Sequence, residues 1–194
     1  MFAIAISGPP GAGKGTQSKY IIQEFDFEYI STGEALRKEM ELSTEIGKQI
    51  TEIMDKGHLV SDEIVTDIVR RVVKESKKVE AKGILFDGYP RTVNQAISFD
   101  EIMKEYNVDF IGMIDLEVSE KTLIKRILAR GKTSGRHDDN EESIKHRLNE
   151  YYVKTKPVID YYKKTGKYFA VNGEGNITEI HLQMKNFIDK YIYS

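Results

Sequence analysis

Lys14 sits in the stretch Gly8-Pro9-Pro10-Gly11-Ala12-Gly13-Lys14-Gly15-Thr16-Gln17, where glycine recurs at positions 8, 11, 13 and 15. A mobile ammonium among residues that let the backbone turn tightly and approach a ligand closely suits phosphate capture. Backbone N–H groups of such a loop point at phosphate oxygens, and the lysine reaches the outer phosphates. The spacing therefore predicts a nucleoside triphosphate site. Gly15 stands where the general G-x-x-x-x-G-K-[ST] pattern has its metal-holding hydroxyl, and Thr16 comes one place later. Magnesium is accordingly expected to be held by phosphates and water, with no direct protein ligand.

The arginines add a second requirement. Arg37, Arg91, Arg130, Arg136 and Arg147 fall at loop or helix-edge positions outside any apolar stripe. Any one of them alone reads as a solvated charge. Arg91, however, follows a strand end, where α/β folds bind ligands. Arg130 and Arg136 bracket the polar loop Lys132-Thr133-Ser134-Gly135-Arg136-His137-Asp138-Asp139, as clamps on a closing flap would. This is more anion-binding capacity than one triphosphate needs. Two phosphate-bearing ligands would use it.

The elements that must position these groups alternate between short apolar runs and longer helical patterns, which predicts a parallel sheet with crossover helices. Phe2 to Ser7 is the first strand, and a helix follows the glycine loop to Phe25. Glu28 to Ser31, Gly83 to Asp87, Phe110 to Leu116 and Lys167 to Asn172 are the other strands, the third of these apolar enough to be central. Residues 32–60 carry helices without a strand, with Ser31 or Thr32 as the cap of the first. Further helices are expected from Ser61, before Tyr106, near 119–130 with Gly131 as a C-cap, and over 177–191. A long helix is expected from about Asn140 towards Lys164, kinked or broken at Pro157. The tyrosines at 151, 152, 161 and 162 have the spacing of packing residues, and His137 reads as exposed.

Composition bounds the rest. The 194 residues suit one domain with small inserts, and 40% hydrophobic with 31% charged residues describes an ordinary soluble chain. A net charge of −2 gives no reason to expect nucleic acid or a membrane as partner. Absence of cysteine excludes disulfides and thiolate metal sites and fits a reducing, cytoplasmic setting. No signal or transit segment and no membrane-spanning run are read.

Several blocks together resemble the nucleoside monophosphate kinases, most closely the adenylate kinase family with a short lid. They are the glycine loop, Ser31-Thr32-Gly33-Glu34-Ala35-Leu36-Arg37, Asp87-Gly88-Tyr89-Pro90-Arg91, and Arg130-Gly131 with Ser134-Gly135-Arg136, Asp138-Asp139-Asn140 and Arg147. The resemblance runs from residue 2 to about 175. It implies a phosphate-loop α/β fold with a five-stranded parallel sheet (core 1–30, 61–128 and 140–194), a monophosphate-binding insert over 31–60 and a lid over 129–139. It places Gly11, Ala12, Gly13, Lys14, Gly15, Thr16, Arg130 and Gly175 on ATP. It places Thr32, Arg37, His58, Leu59, Val60, Gly88, Tyr89, Pro90, Arg91 and Gln95 on AMP, with Arg136 and Arg147 between the two phosphate groups. Lys14, Arg91, Arg130, Arg136 and Arg147 would carry catalysis, and Asp87 would orient water on Mg2+. Asp138 and Asp139 would help position the closed lid, although such a pair also starts helices. Glu34 departs from the family's usual aspartate, with little consequence expected.

The activity so implied is ATP:AMP phosphotransfer (EC 2.7.4.3) giving two ADP, by a monomer needing Mg2+ and no zinc. The acceptor is already anionic, so no general base is required. Water competes as acceptor, so closure should precede chemistry. A UMP/CMP kinase is the near alternative, and Thr32 argues against it because pyrimidine members of the family usually carry alanine there. A phosphate-loop ATPase or switch is the alternative of another class, and would not need Arg37, Arg91 and Gln95.

Overall fold

The computed structural model of the chain describes residues 1–42, 44–56, 58–76, 80–131 and 141–193. Five strands, β1 (Phe2–Ser7), β2 (Phe27–Ser31), β3 (Gly83–Asp87), β4 (Asp109–Glu117) and β5 (Tyr168–Asn172), form one sheet in the order β2-β3-β1-β4-β5. All pairings are parallel. β1 lies in the middle, so its side chains must be apolar on both faces. Ala3 and Ala5 face a core with Phe86, Phe99, Phe110 and Tyr162. Ile4 and Ile6 face another with Ile21, Leu85, Leu123 and Met184.

Helices cover both faces. α1 (Lys14–Phe25), α6 (Glu120–Gly131), α7 (Glu141–Glu150) and α9 (Ile177–Ile192) supply the Ile4 side. α4 (Asp62–Ser76), α5 (Val93–Glu105) and α8 (Lys156–Lys164) supply the Ala3 side, where α2 (Thr32–Glu41) and α3 (Glu45–Asp55) add Leu36 and Ile50. Small residues on β1 leave room there for aromatic rings. Phe99 stands edge-on to Phe86 and to Phe110 at 4.9 Å each, and Phe110 to Tyr162 at 5.2 Å. Such pairs add about 0.5–1.5 kcal/mol each beyond the area they bury.

Register brings the carboxyl ends into one row. Ser31 pairs with Asp87, Ile6 with Asp87, and Ser7 with Asp115. Ligands of open α/β sheets bind along such a row. Among the described residues no helix is long and apolar enough to cross a membrane.

Three local expectations are refined. Ser31 caps α2, its hydroxyl accepting from the Glu34 N–H, so Thr32 is the first helical residue and not the cap. Gly131 is the last residue of α6, not a residue beyond it. The long helix around Pro157 is interrupted by a π turn over Tyr151–Thr155, with α8 restarting at Lys156 and Pro157 in its first turn. Proline has no N–H to donate, so the opening turn of a helix is where it fits.

Candidate active site

One cleft of about 1090 Å³ lies over the row of strand ends. That exceeds the roughly 300–1,000 Å³ usual for a single small ligand. Among the described residues, Gly11 to Thr16, Thr32, Arg37, His58 to Val60, Asp87 to Arg91, Gln95, Arg130, Arg147 and Gly175, all expected from the sequence, line it. Arg136, like His137, Asp138, Asp139 and most of the 129–139 segment, lies outside the described residues.

On one wall the chain leaves β1 at Ser7, turns through the glycine loop and enters α1 at Lys14. Ala12 donates its N–H to the Pro9 carbonyl at 3.0 Å, which closes the loop. Gly11 has φ +84°, and a Cβ there would stand 2.7 Å from Ile127 Cγ1. Only glycine lets the loop press this closely on α6. The first N–H groups of α1 have no intrahelical carbonyl, so the helix start offers donors and a positive dipole end to an anion. Lys14 curls back over the loop, its ammonium donating to the Gly8 carbonyl at 2.7 Å and to that of Pro9 at 3.2 Å. Burial brings its pKa down to about 8; Arg91 and Arg147 push the same way, and Asp87 and Asp115 oppose them. Lys14 is thus electrostatically in touch with the groups of β3, β4, α7 and the turn before α5.

The opposite wall is built on the turn after β3. Gly88 has φ +81°, and its carbonyl accepts from Thr32 Oγ1 at 2.9 Å and from Arg91 Nε at 2.7 Å. A Cβ on Gly88 would meet Arg91 Nη2 at 2.7 Å. The Arg91 N–H donates to Gln95 Oε1 at 2.7 Å, and Gln95 Nε2 donates to Asp62 Oδ1 at 2.7 Å. Thr92 Oγ1 donates to Asp62 Oδ2 at 2.8 Å and caps α5 by accepting the Gln95 N–H. Gln95, which could have been an ordinary surface amide, is 2% exposed and held from both ends. Tyr29 donates to Asp87 Oδ2 at 2.8 Å; burial and that carboxylate push the phenol well above its ordinary pKa. Tyr89 packs its ring on Phe99, and its hydroxyl lies on Thr66 Oγ1 and the Gln95 carbonyl, so most of that side chain belongs to the core.

Arg37, His58, Leu59 and Val60 complete this wall from the 31–60 segment. His58 reaches α7, with Nδ1 3.8 Å from Glu150 Oε1 and its ring 5.1 Å from that of His146. Arg130 and Arg147 face the cleft from α6 and α7.

Four contributors escaped the sequence reading. Arg126, one turn before Arg130, donates to the carbonyls of Ala12 at 3.2 Å and Gly173 at 3.0 Å, tying the glycine loop to the turn before α9. Its spacing from Arg130 was the available signal. Asp62 reads as an ordinary acid at a helix start, Tyr29 as a strand residue, and Asp115 is hidden in an apolar run. None of these three carries a local signal for its partner.

The family model described as Adenylate kinase matches residues 6–167, which is most of the chain. The chain belongs to the adenylate kinase family. It is 47% identical to the adenylate kinase of Parabacteroides distasonis over 97% of this chain and 98% of that protein. It is 44% identical to the adenylate kinase of Bacteroides thetaiotaomicron over 98% of this chain and all of that protein. The adenylate kinase of Flavobacterium johnsoniae is 42% identical over 97% of this chain and 99% of its own length. As a member of the adenylate kinase family, the chain is a phosphotransferase.

Proposed function

We propose that this chain transfers the terminal phosphoryl group of Mg-ATP to AMP, reversibly, giving two ADP (EC 2.7.4.3). The observation that carries the proposal is the two-walled cleft: a phosphate loop with Lys14 on one side, and the Thr32–Gly88–Arg91–Gln95 network on the other.

In this reading Gly11 to Thr16 cradle the ATP phosphates, with Arg126, Arg130 and Gly175 on the same side. Thr32, Arg37, Gly88, Arg91 and Gln95 hold AMP, with the segment 58–60 closing over it. The acceptor oxygen belongs to a phosphate already ionised at neutral pH, so the site needs no proton acceptor. What it needs is positive charge aimed at the loose, charge-spread transition state. Lys14, Arg91 and Arg147 supply that charge from three different elements.

Among the described residues no group of three or more acids and histidines stands together as a metal cage. The Asp87 carboxylate at the end of β3 suits a magnesium ion bound chiefly by phosphates and water. Mg2+ would neutralise and align the phosphates, and Asp87 would hold one of its waters. We assign 31–60 as the segment that closes over AMP and 129–139 as the lid on the ATP side. The test is product analysis with Mg-ATP against AMP, CMP, UMP and GMP in parallel. ADP formation that depends on AMP is expected. Transfer chiefly to CMP or UMP would sink the acceptor assignment, and phosphate release without an acceptor would sink phosphotransfer between nucleotides.

A further inference from the structure

Asp115 is a carboxylate at 3% exposure in the otherwise apolar run of β4. It pairs in register with Ser7, the last residue before the glycine loop. Tyr151 donates its hydroxyl to Asp115 Oδ1 at 3.3 Å. The Tyr168 hydroxyl lies 3.5 Å from Oδ2 and 3.2 Å from Glu117 Oε1, and its one proton serves one of them at a time. The Ser7 hydroxyl also acts on the carboxyl group. Hydroxyl contacts alone are a modest return for burying it, and a leucine or valine would fill the strand position at lower cost. A residue that costs folding energy at the root of the phosphate loop calls for another reason to be there.

Two neighbours supply it. The Lys14 ammonium is anchored on the Gly8 carbonyl, and Gly8 packs against the backbone of Leu116, where a Cβ on Gly8 would meet Leu116 O at 3.0 Å. The ammonium is therefore pinned above the end of β4 that carries Asp115. Tyr151 opens the π turn that separates α7 from α8, and Arg147 lies one helical turn before it. The i→i+5 bonds of a π turn take an extra residue, so they rotate the helix before the turn relative to the helix after it. The turn's placement thus sets which face of α7, and hence Arg147, is presented to the cleft.

We propose that Asp115 is a positioning residue for phosphoryl transfer, holding Tyr151 and its π turn in place below Arg147 while standing as a buried negative charge behind Lys14. The inference rests on the proposed roles of Lys14 and Arg147. The charged groups facing Lys14 are Asp87 on β3, Asp115 on β4, Arg91 in the turn before α5 and Arg147 on α7. Those facing Asp115 are Lys14 and Glu117, with the phenols of Tyr151 and Tyr168. Burial, and to a lesser extent Glu117, raises the Asp115 pKa, while the hydroxyls of Ser7 and Tyr151 and, least of all, Lys14 act to lower it.

The experiment measures pH profiles of kcat/KM for Mg-ATP and steady-state constants for Asp115→Asn, Tyr151→Phe and Arg147→Ala. Asparagine keeps the shape and an acceptor but removes the charge. Asp115→Asn should move the alkaline limb set by Lys14 to lower pH, since the Asp115 charge raises the Lys14 pKa. Tyr151→Phe keeps the charge and frees the π turn, so kcat should fall about tenfold, with the limb in place and the KM values within about twofold. A limb within 0.2 units of the parent in Asp115→Asn, or unchanged kcat in Tyr151→Phe, overturns the proposal. Should Asp115→Asn fail to fold, the Tyr151→Phe result decides alone. An Arg147→Ala variant with undiminished AMP-dependent ADP formation would instead refute the reading of the site on which the inference rests.

Discussion

Replacing Asp62 by asparagine should weaken AMP handling and spare ATP. The Asp62 carboxylate accepts from Gln95 Nε2 at 2.7 Å and from Thr92 Oγ1 at 2.8 Å. Asparagine offers one acceptor oxygen and turns an NH2 towards the second donor. Gln95 is buried, so its amide cannot find water as a substitute partner. Hydrogen bonds to charged groups are worth about 1.5–3 kcal/mol, and part of that loss falls on folding. Taking about 1–2 kcal/mol as the share that disorders Gln95 and, through its bond to the Arg91 N–H, Arg91, the conversion at 1.4 kcal/mol per tenfold gives a rise in KM for AMP of about five- to thirtyfold. The KM for ATP should stay within about twofold, because the glycine loop lies on the other wall. Initial-rate measurements varying each nucleotide in turn, with a melting curve to register the folding share, test this. Equal increases in both KM values, or an unchanged KM for AMP, would refute the proposed chain from Asp62 through Gln95 to the acceptor.

Gly88→Ala should fold yet raise the KM for AMP at least tenfold. Its φ of +81° costs an L-residue about 1–2 kcal/mol, and the new Cβ meets Arg91 Nη2 at 2.7 Å. Calorimetry with AMP alone checks it, and unchanged affinity would count against the Gly88–Arg91 contact. For Lys14, kcat/KM for ATP should stay level up to about pH 8 and fall about tenfold per unit beyond it, because that profile reports the free enzyme. The folded chain releases this proton before the unfolded chain does, whose lysine keeps the ordinary value of 10.5. This group's contribution to stability therefore rises with pH from about 8 upwards, opposite to activity. Chemical denaturation at pH 7 and pH 9 reads that sign, and a Lys14→Met chain with the same pH dependence of stability would refute it.

The legible part of the site is the part whose residues are neighbours in sequence. Glycine spacing around Lys14 places backbone donors and an ammonium within one turn of each other, whatever the rest of the chain does. Asp87 to Arg91 is legible for the same reason, being a strand end that runs straight into its turn. Arg126 was missed because an arginine on an amphipathic helix needs no ligand to explain it, and its partners Ala12 and Gly173 are far away along the chain. Gln95 was placed on AMP by resemblance alone, and its anchor on Asp62 emerges only once α4 packs beside α5. Pro157 announced an interruption but not its form, since a proline in the first turn of a helix is compatible with a kink, a break or a π turn.

What the sequence determined by itself is the sheet with its crossovers, the phosphate loop and the membership of a family that moves phosphoryl groups. Hydrophobic period and glycine placement are local properties, and local properties survive being read in one dimension. What only the tertiary structure decided is the pairing of walls: that Thr32 and Arg91 share the Gly88 carbonyl, that Asp62 holds Gln95, and that Asp115 lies behind Lys14 with Tyr151 on it. These partners come from strands and helices set side by side by burial of the two cores. A carboxylate's partner depends on which elements pack together, and no spacing along the chain encodes that distance.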